Sequence, residues 1–139
     1  MSGSAPLDDA SFLSAVLDTV IPPHGAMPGA GSLGIERSVG EAVASDALSG
    51  PSVTAAMVAL WERTPGFAGL APAERAQALE AAMDAASLRA MLRHVYLAYY
   101  QHPEVLAALG EPPRPPFPEG FELEPTDPEL LAALQARMK

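Results

Sequence analysis

Residues 87–101, SLRAMLRHVYLAYYQ, decide how this chain folds. At 100° per residue Leu88, Leu92, Val95 and Tyr99 fall in a sector about 60° wide with Met91 beside them, the spacing of one buried helical face. Arg89, Arg93, Tyr96 and Tyr100 gather on the adjoining flank, about 60° across by the same geometry. The stretch therefore reads as a helix with one face in a core and an arginine–tyrosine flank outside it. All three tyrosines of the chain stand here, among only eight aromatic residues in the whole sequence. Tyr99 is expected inside. Tyr96, Tyr100 and the two arginines are of the types enriched at interface hot spots, because each supplies broad contact area with a polar end. The flank reads as a docking surface, either for this chain's own tail or for another protein.

Working outward, the same helical spacing recurs. Asp8 or Asp9 can cap a helix carrying Phe12, Leu13, Val16, Leu17 and Val20, which Pro22-Pro23 ends. A second helix is expected from about Ser32 to Leu48, with Leu33, Ile35, Val39 and Val43 inward. After Ser49-Gly50-Pro51 a third carries Val53, Met57, Leu60 and Trp61. Ala71-Pro72-Ala73-Glu74 suits a first helical turn and opens a fourth through about Met83. After the tyrosine helix, Pro103 begins the short piece PEVLAAL, which Gly110 closes. Residues 111–128 hold seven of the fifteen prolines and five acids, a composition for an extended surface segment rather than a core. A last short helix is expected in TDPELLAALQARM, with Leu130, Leu131 and Leu134 on one face. The expectation is an all-α chain, one compact domain of about five to six helices over 1–110 with a proline-rich arm over 111–139. Its 27 alanines in 139 residues favour helix in the same direction.

The formal net charge of −9 disfavours nucleic acid, whose binding draws on clustered Lys and Arg. The absence of cysteine removes disulfides, thiolate nucleophiles and Cys-ligated metals. No 18-residue apolar run points to membrane insertion. The N-terminus, MSGSAPLDDA, has no basic region or twin arginine, so the sequence as it stands reads as cytoplasmic, or periplasmic if a twin-arginine signal has been removed.

Three patterns invite chemistry. Gly29-Ala30-Gly31-Ser32-Leu33-Gly34 spells G-x-G-x-x-G, yet a helix and two prolines precede it where a dinucleotide site needs a strand. It reads as a glycine-rich connector. His24, His94 and His102 have no metal-ligand spacing, but their convergence around an apolar pocket would make a small helical enzyme or ligand-binding protein, the alternative reading. A homo-oligomeric structural protein is a third. No G-x-S-x-G occurs, and no catalytic, cofactor-binding or metal-binding residue is assigned.

FLSAVLDTVIPPHGAMPGAGSLGIERSV resembles the opening of the gluconate 2-dehydrogenase subunit 3 family, through Asp18, Ile21, Pro22, Pro28, Gly29, Ala30, Gly34 and Ile35. YYQHPEVLAALGEPPRPPFPEG is similar to that family's ending. The resemblance runs from about Ser11 to Gly120. It implies a small non-catalytic subunit that stabilises or helps mature a sugar or alcohol dehydrogenase of the glucose-methanol-choline type. FAD would sit in that large subunit and not in this chain, and a cytochrome subunit is a further potential partner. Arg89, Arg93, Tyr96 and Tyr100, with Phe117 and Phe121 on the arm, are then the expected partner-binding residues.

Overall fold

Asp9 starts the first long helix as expected: its Oδ1 accepts the Phe12 amide at 2.8 Å, and α1 runs Ala10–Val20. The computed structural model describes residues 6–111 and 125–138. Phe117 and Phe121, expected on the partner face, lie outside the described residues. The order continues with α2 (Glu36–Ser45), α3 (Gly50–Arg63), α4 (Pro72–Ala82), α5 (Ala85–Tyr99), α6 (Pro103–Ala108) and α7 (Pro128–Arg137), with short 3-10 turns at Pro6–Asp8, Ala30–Ser32 and Phe67–Gly69. The chain is all-α, one compact helical domain; among the described residues six α-helices lie before Gly110, where five to six were expected, and α7 stands where a last short helix was expected. Among the described residues the nearest thing to a strand is an isolated bridge between His24 and Met27.

Local chemistry explains most of the boundaries. Proline occupies the first turn of α3, α4, α6 and α7, where its missing N–H costs no helical bond. Glu74 reaches back to accept the Ala71 amide at 3.0 Å, half of a capping box, since alanine offers no oxygen in return. Asp84 caps α5 by accepting the Ser87 amide at 2.7 Å. Gly110, at φ +78°, closes α6, and the Glu111 amide returns to the Leu106 carbonyl at 2.9 Å.

The second helix departs from expectation at both ends. It begins at Glu36 because Ala30–Ser32 is a 3-10 turn and Gly34, at φ +68°, reverses the chain in a conformation only glycine adopts cheaply. It ends at Ser45 because Asp46 spends its Oδ1 on the Leu48 and Ser49 amides, at 3.1 and 3.0 Å, and turns the chain toward α3.

The core joins α1, α2, α3 and α5. Val16, Leu17, Val53, Met57, Leu60, Val95 and Tyr99 are all essentially sealed from water. Each such aliphatic or aromatic side chain stabilises the fold by roughly 1.5–3 kcal/mol relative to exposure. Trp61, carried on the third helix as expected, is partly exposed and lies edge-on to Phe12 with ring centroids 5.0 Å apart. Together with Phe67 these rings floor a hollow of ≈ 560 Å³ rimmed by Asp9 and Glu62. α7 buries none of its residues, and Leu130, Leu131 and Leu134 are exposed.

Candidate functional site

On α5 the buried set is Ser87, Ala90, Met91, Val95 and Tyr99. The core sector is thus broader than the sequence reading placed it, and rotated toward Met91. Leu92, expected in that sector, is half-buried at its border and turns toward the solvent side. The opposite flank holds the expected cluster: Arg89, Arg93, Tyr96 and Tyr100 line one shallow hollow of ≈ 640 Å³, joined by Leu92, Leu97 and Gln101. Every lining residue comes from one helix and the turn that follows it. Tyr96 and Tyr100 are 44% and 49% exposed, with rings 6.0 Å apart, and Leu97 is 57% exposed. Leu97 was not singled out in the sequence, because residue type alone does not distinguish an exposed leucine from a buried one.

Tyr100 is anchored to the core beside it. Tyr100 stacks edge-on against Tyr99 at 5.0 Å, and the buried Tyr99 hydroxyl donates to the Pro28 carbonyl at 2.7 Å. Burial first, and the neighbouring Tyr100 second, push the Tyr99 phenol above its ordinary value, so it remains a donor at neutral pH.

Asp46 fixes one arginine. Its Oδ2 accepts from Arg93 Nη2 at 2.9 Å and lies 2.9 Å from His94 Nε2, while its side chain is only 11% exposed. The Ser49 amide, then His94, then lesser contacts including Arg93's charge hold the carboxyl down at about 2. An ionised carboxylate only accepts, so His94 carries its proton on Nε2. The junction of α2 and α3 is thereby tied to α5 and sets the direction of Arg93. Nothing local announces this bond, whose partners stand 47 residues apart.

The glycine loop serves α1. A Cβ on Gly31 would overlap the Ser14 carbonyl and lie 2.7 Å from the Asp18 carboxyl carbon. One on Gly29 would overlap Asp18 and Pro23. Asp18 Oδ1 accepts the Gly31 amide at 2.8 Å, and the Ile21 carbonyl accepts the Ala30 amide at 3.0 Å. Ser14 Oγ lies 2.5 Å from the Gly31 carbonyl and 2.7 Å from Glu36 Oε1. The amides that would cradle a pyrophosphate are spent on α1, beside a carboxylate that repels phosphate. These glycines permit close backbone approach, as a connector requires.

The histidines have separate local roles. His24 is exposed in the turn it closes with Met27, His94 belongs to Asp46, and His102 caps α6 by accepting the Glu104 amide at 3.3 Å. Among the described residues no group of three or more His, Cys, Asp or Glu side chains is placed to hold a metal ion. Nor, among them, is any helix long and apolar enough to cross a membrane. No protein-family model, curated protein or solved structure matches this chain.

Proposed function

We propose that this chain is a non-catalytic helical subunit that docks a larger protein on the Arg89/Arg93/Tyr96/Tyr100 flank of α5. The partner this reading favours is the FAD-bearing subunit of a sugar or alcohol dehydrogenase, from the motif resemblance of Asp18 through Ile35 and of the Tyr99-Tyr100 ending. One observation carries the docking claim. An otherwise well-packed helix exposes two tyrosines, a leucine and two arginines together in one hollow. Tyrosine side chains, with large contact area and few rotatable bonds, lose little entropy on binding.

The test is co-expression of this chain with a flavin-dependent sugar or alcohol dehydrogenase of the glucose-methanol-choline type from the same genome, followed by purification on a tag carried by this chain. Wild type is expected to bring the partner down with flavin absorbance, and the Tyr96→Ala, Arg89→Ala double variant to lose it. Arg89 is the better choice than Arg93, whose bond to Asp46 would mix a folding effect into the result. Retention of the flavoprotein by a folded double variant would refute the assignment.

A further inference from the structure

The hollow between the start of α1 and the end of α3 has a chemistry that the α5 flank does not use. Its volume, ≈ 560 Å³, is that of a small-ligand site. Phe12, Trp61 and Phe67 give it aromatic surface, with Pro65 and Ala68 beside them. Phe12 and Phe67 are buried, whereas Trp61 packs edge-on to Phe12 and is still 36% exposed, so indole surface is left open to a ligand. The charged groups of the hollow are two carboxylates, Asp9 and Glu62, and among the described residues no lysine, arginine or histidine lines it. Neither acid is in an ion pair among those residues. Asp9 spends Oδ1 on the Phe12 amide and keeps Oδ2. The last turn of α3 ends here, so the carbonyl end of that helix adds negative potential, while the Asp9 cap offsets the amide end of α1. The hollow beside Leu7 is different in kind: it has no aromatic ring, and Arg37 lines it, paired with Glu41.

We propose that the Trp61 hollow binds a small organic cation with an alkylated ammonium head, seated on the indole and flanked by the Asp9 and Glu62 carboxylates. An aromatic ring attracts a cation through its quadrupole, tryptophan most strongly, and two carboxylates on a chain of net charge −9 act in the same direction. The lining chooses among cations. A primary ammonium brings three N–H donors that each need an acceptor, which a mostly apolar wall does not supply. A quaternary head needs none, and its methyl groups match that wall. A phosphate next to the head would meet the two acids, which favours a free cation over a phosphocholine lipid headgroup. This inference goes beyond the partner reading and does not depend on it, since the Trp61 hollow and the α5 hollow share no lining residue.

Trp61 is the single tryptophan of the chain, so its emission reports on the hollow in the full-length protein. Tetramethylammonium chloride is titrated against the chain, with sodium chloride at matched ionic strength as the blank and tert-butanol as a neutral probe of similar size. A saturable change in emission is expected, with half-saturation below about 10 mM, and tert-butanol is expected to bind at least about threefold more weakly. Glu62→Gln, at an exposed position where the fold has nothing to lose, should weaken tetramethylammonium by about twofold or more. Trp61→Leu, followed by calorimetry, should abolish binding. No saturation below about 50 mM, equal binding of tert-butanol, or unchanged affinity in Glu62→Gln would each overturn the proposal. Binding to phosphatidylcholine vesicles without a response to tetramethylammonium would also overturn it, because the hollow would then take a lipid headgroup and not a free cation.

Discussion

At the scale of single residues, the fold rests on a few contacts whose removal has a calculable direction. Gly31→Ala is expected to destabilise by about 1–3 kcal/mol in denaturant unfolding, because its methyl must displace the Ser14 carbonyl or the Asp18 carboxylate. Gly69→Ala, with open space and no left-handed backbone, should stay within about 0.5 kcal/mol of wild type. Tyr99→Phe deprives the Pro28 carbonyl of its donor and should cost about 1–2 kcal/mol by the same measurement. Asp46 gives a pH signature. Its folded pKa, about 2, is below the ordinary 3.8, so its contribution is complete above pH 3.8 and is lost as pH falls toward 2. Asp84, also lowered by the Ser87 amide it caps, adds to the same acid slope. Asp46→Asn should lower the melting temperature at pH 7, and its deficit against wild type should shrink between pH 4 and pH 2. A deficit constant across that range would mean that the carboxylate's charge is not what ties Arg93 and His94.

At the scale of elements, α5 divides cleanly between a face that folds and a face that is free to bind. Met91→Ala should cost about 2–5 kcal/mol, since that side chain is sealed in the core. Tyr96→Ala with Arg89→Ala should change stability by no more than about 0.5 kcal/mol for each substitution, as surface changes usually do. If melting curves show the pair to be as costly as Met91→Ala, the flank is structural. This division was legible in the sequence because angular position on a helix follows from residue number alone. The helix starts at Asp9, Pro72 and Pro103 were legible too, since these residues act within one turn, whereas α5, read from Ser87, starts at Ala85 behind the Asp84 cap. What escaped the sequence was of two kinds, turns within a few residues and contacts far along the chain. Gly34's left-handed turn and the Asp46 carboxylate trimmed α2 at its two ends, Trp61 turned out to meet Phe12, and Leu92 came to rest at the border of the core. The Tyr99 to Pro28 and Arg93 to Asp46 bonds span 71 and 47 residues, and no periodicity encodes such pairings.

At the scale of the whole molecule, the glycine loop serves the fold, and the α5 flank is proposed to serve recognition. Calorimetry with NAD or FAD should therefore give no micromolar binding to the isolated chain, because the Gly31 and Ala30 amides are engaged by α1. Dinucleotide binding at that level would reopen the G-x-G-x-x-G reading. The central claim, that the tyrosine–arginine face meets a flavoprotein, is tested most directly by placing p-benzoylphenylalanine at Tyr100 in the co-expressed pair and irradiating it. A covalent adduct between position 100 and the flavin-bearing subunit is expected, with a control at Leu48 giving none. Co-purification of the two proteins with no adduct at position 100 would contradict it, because the partner would then be held by some other part of the chain.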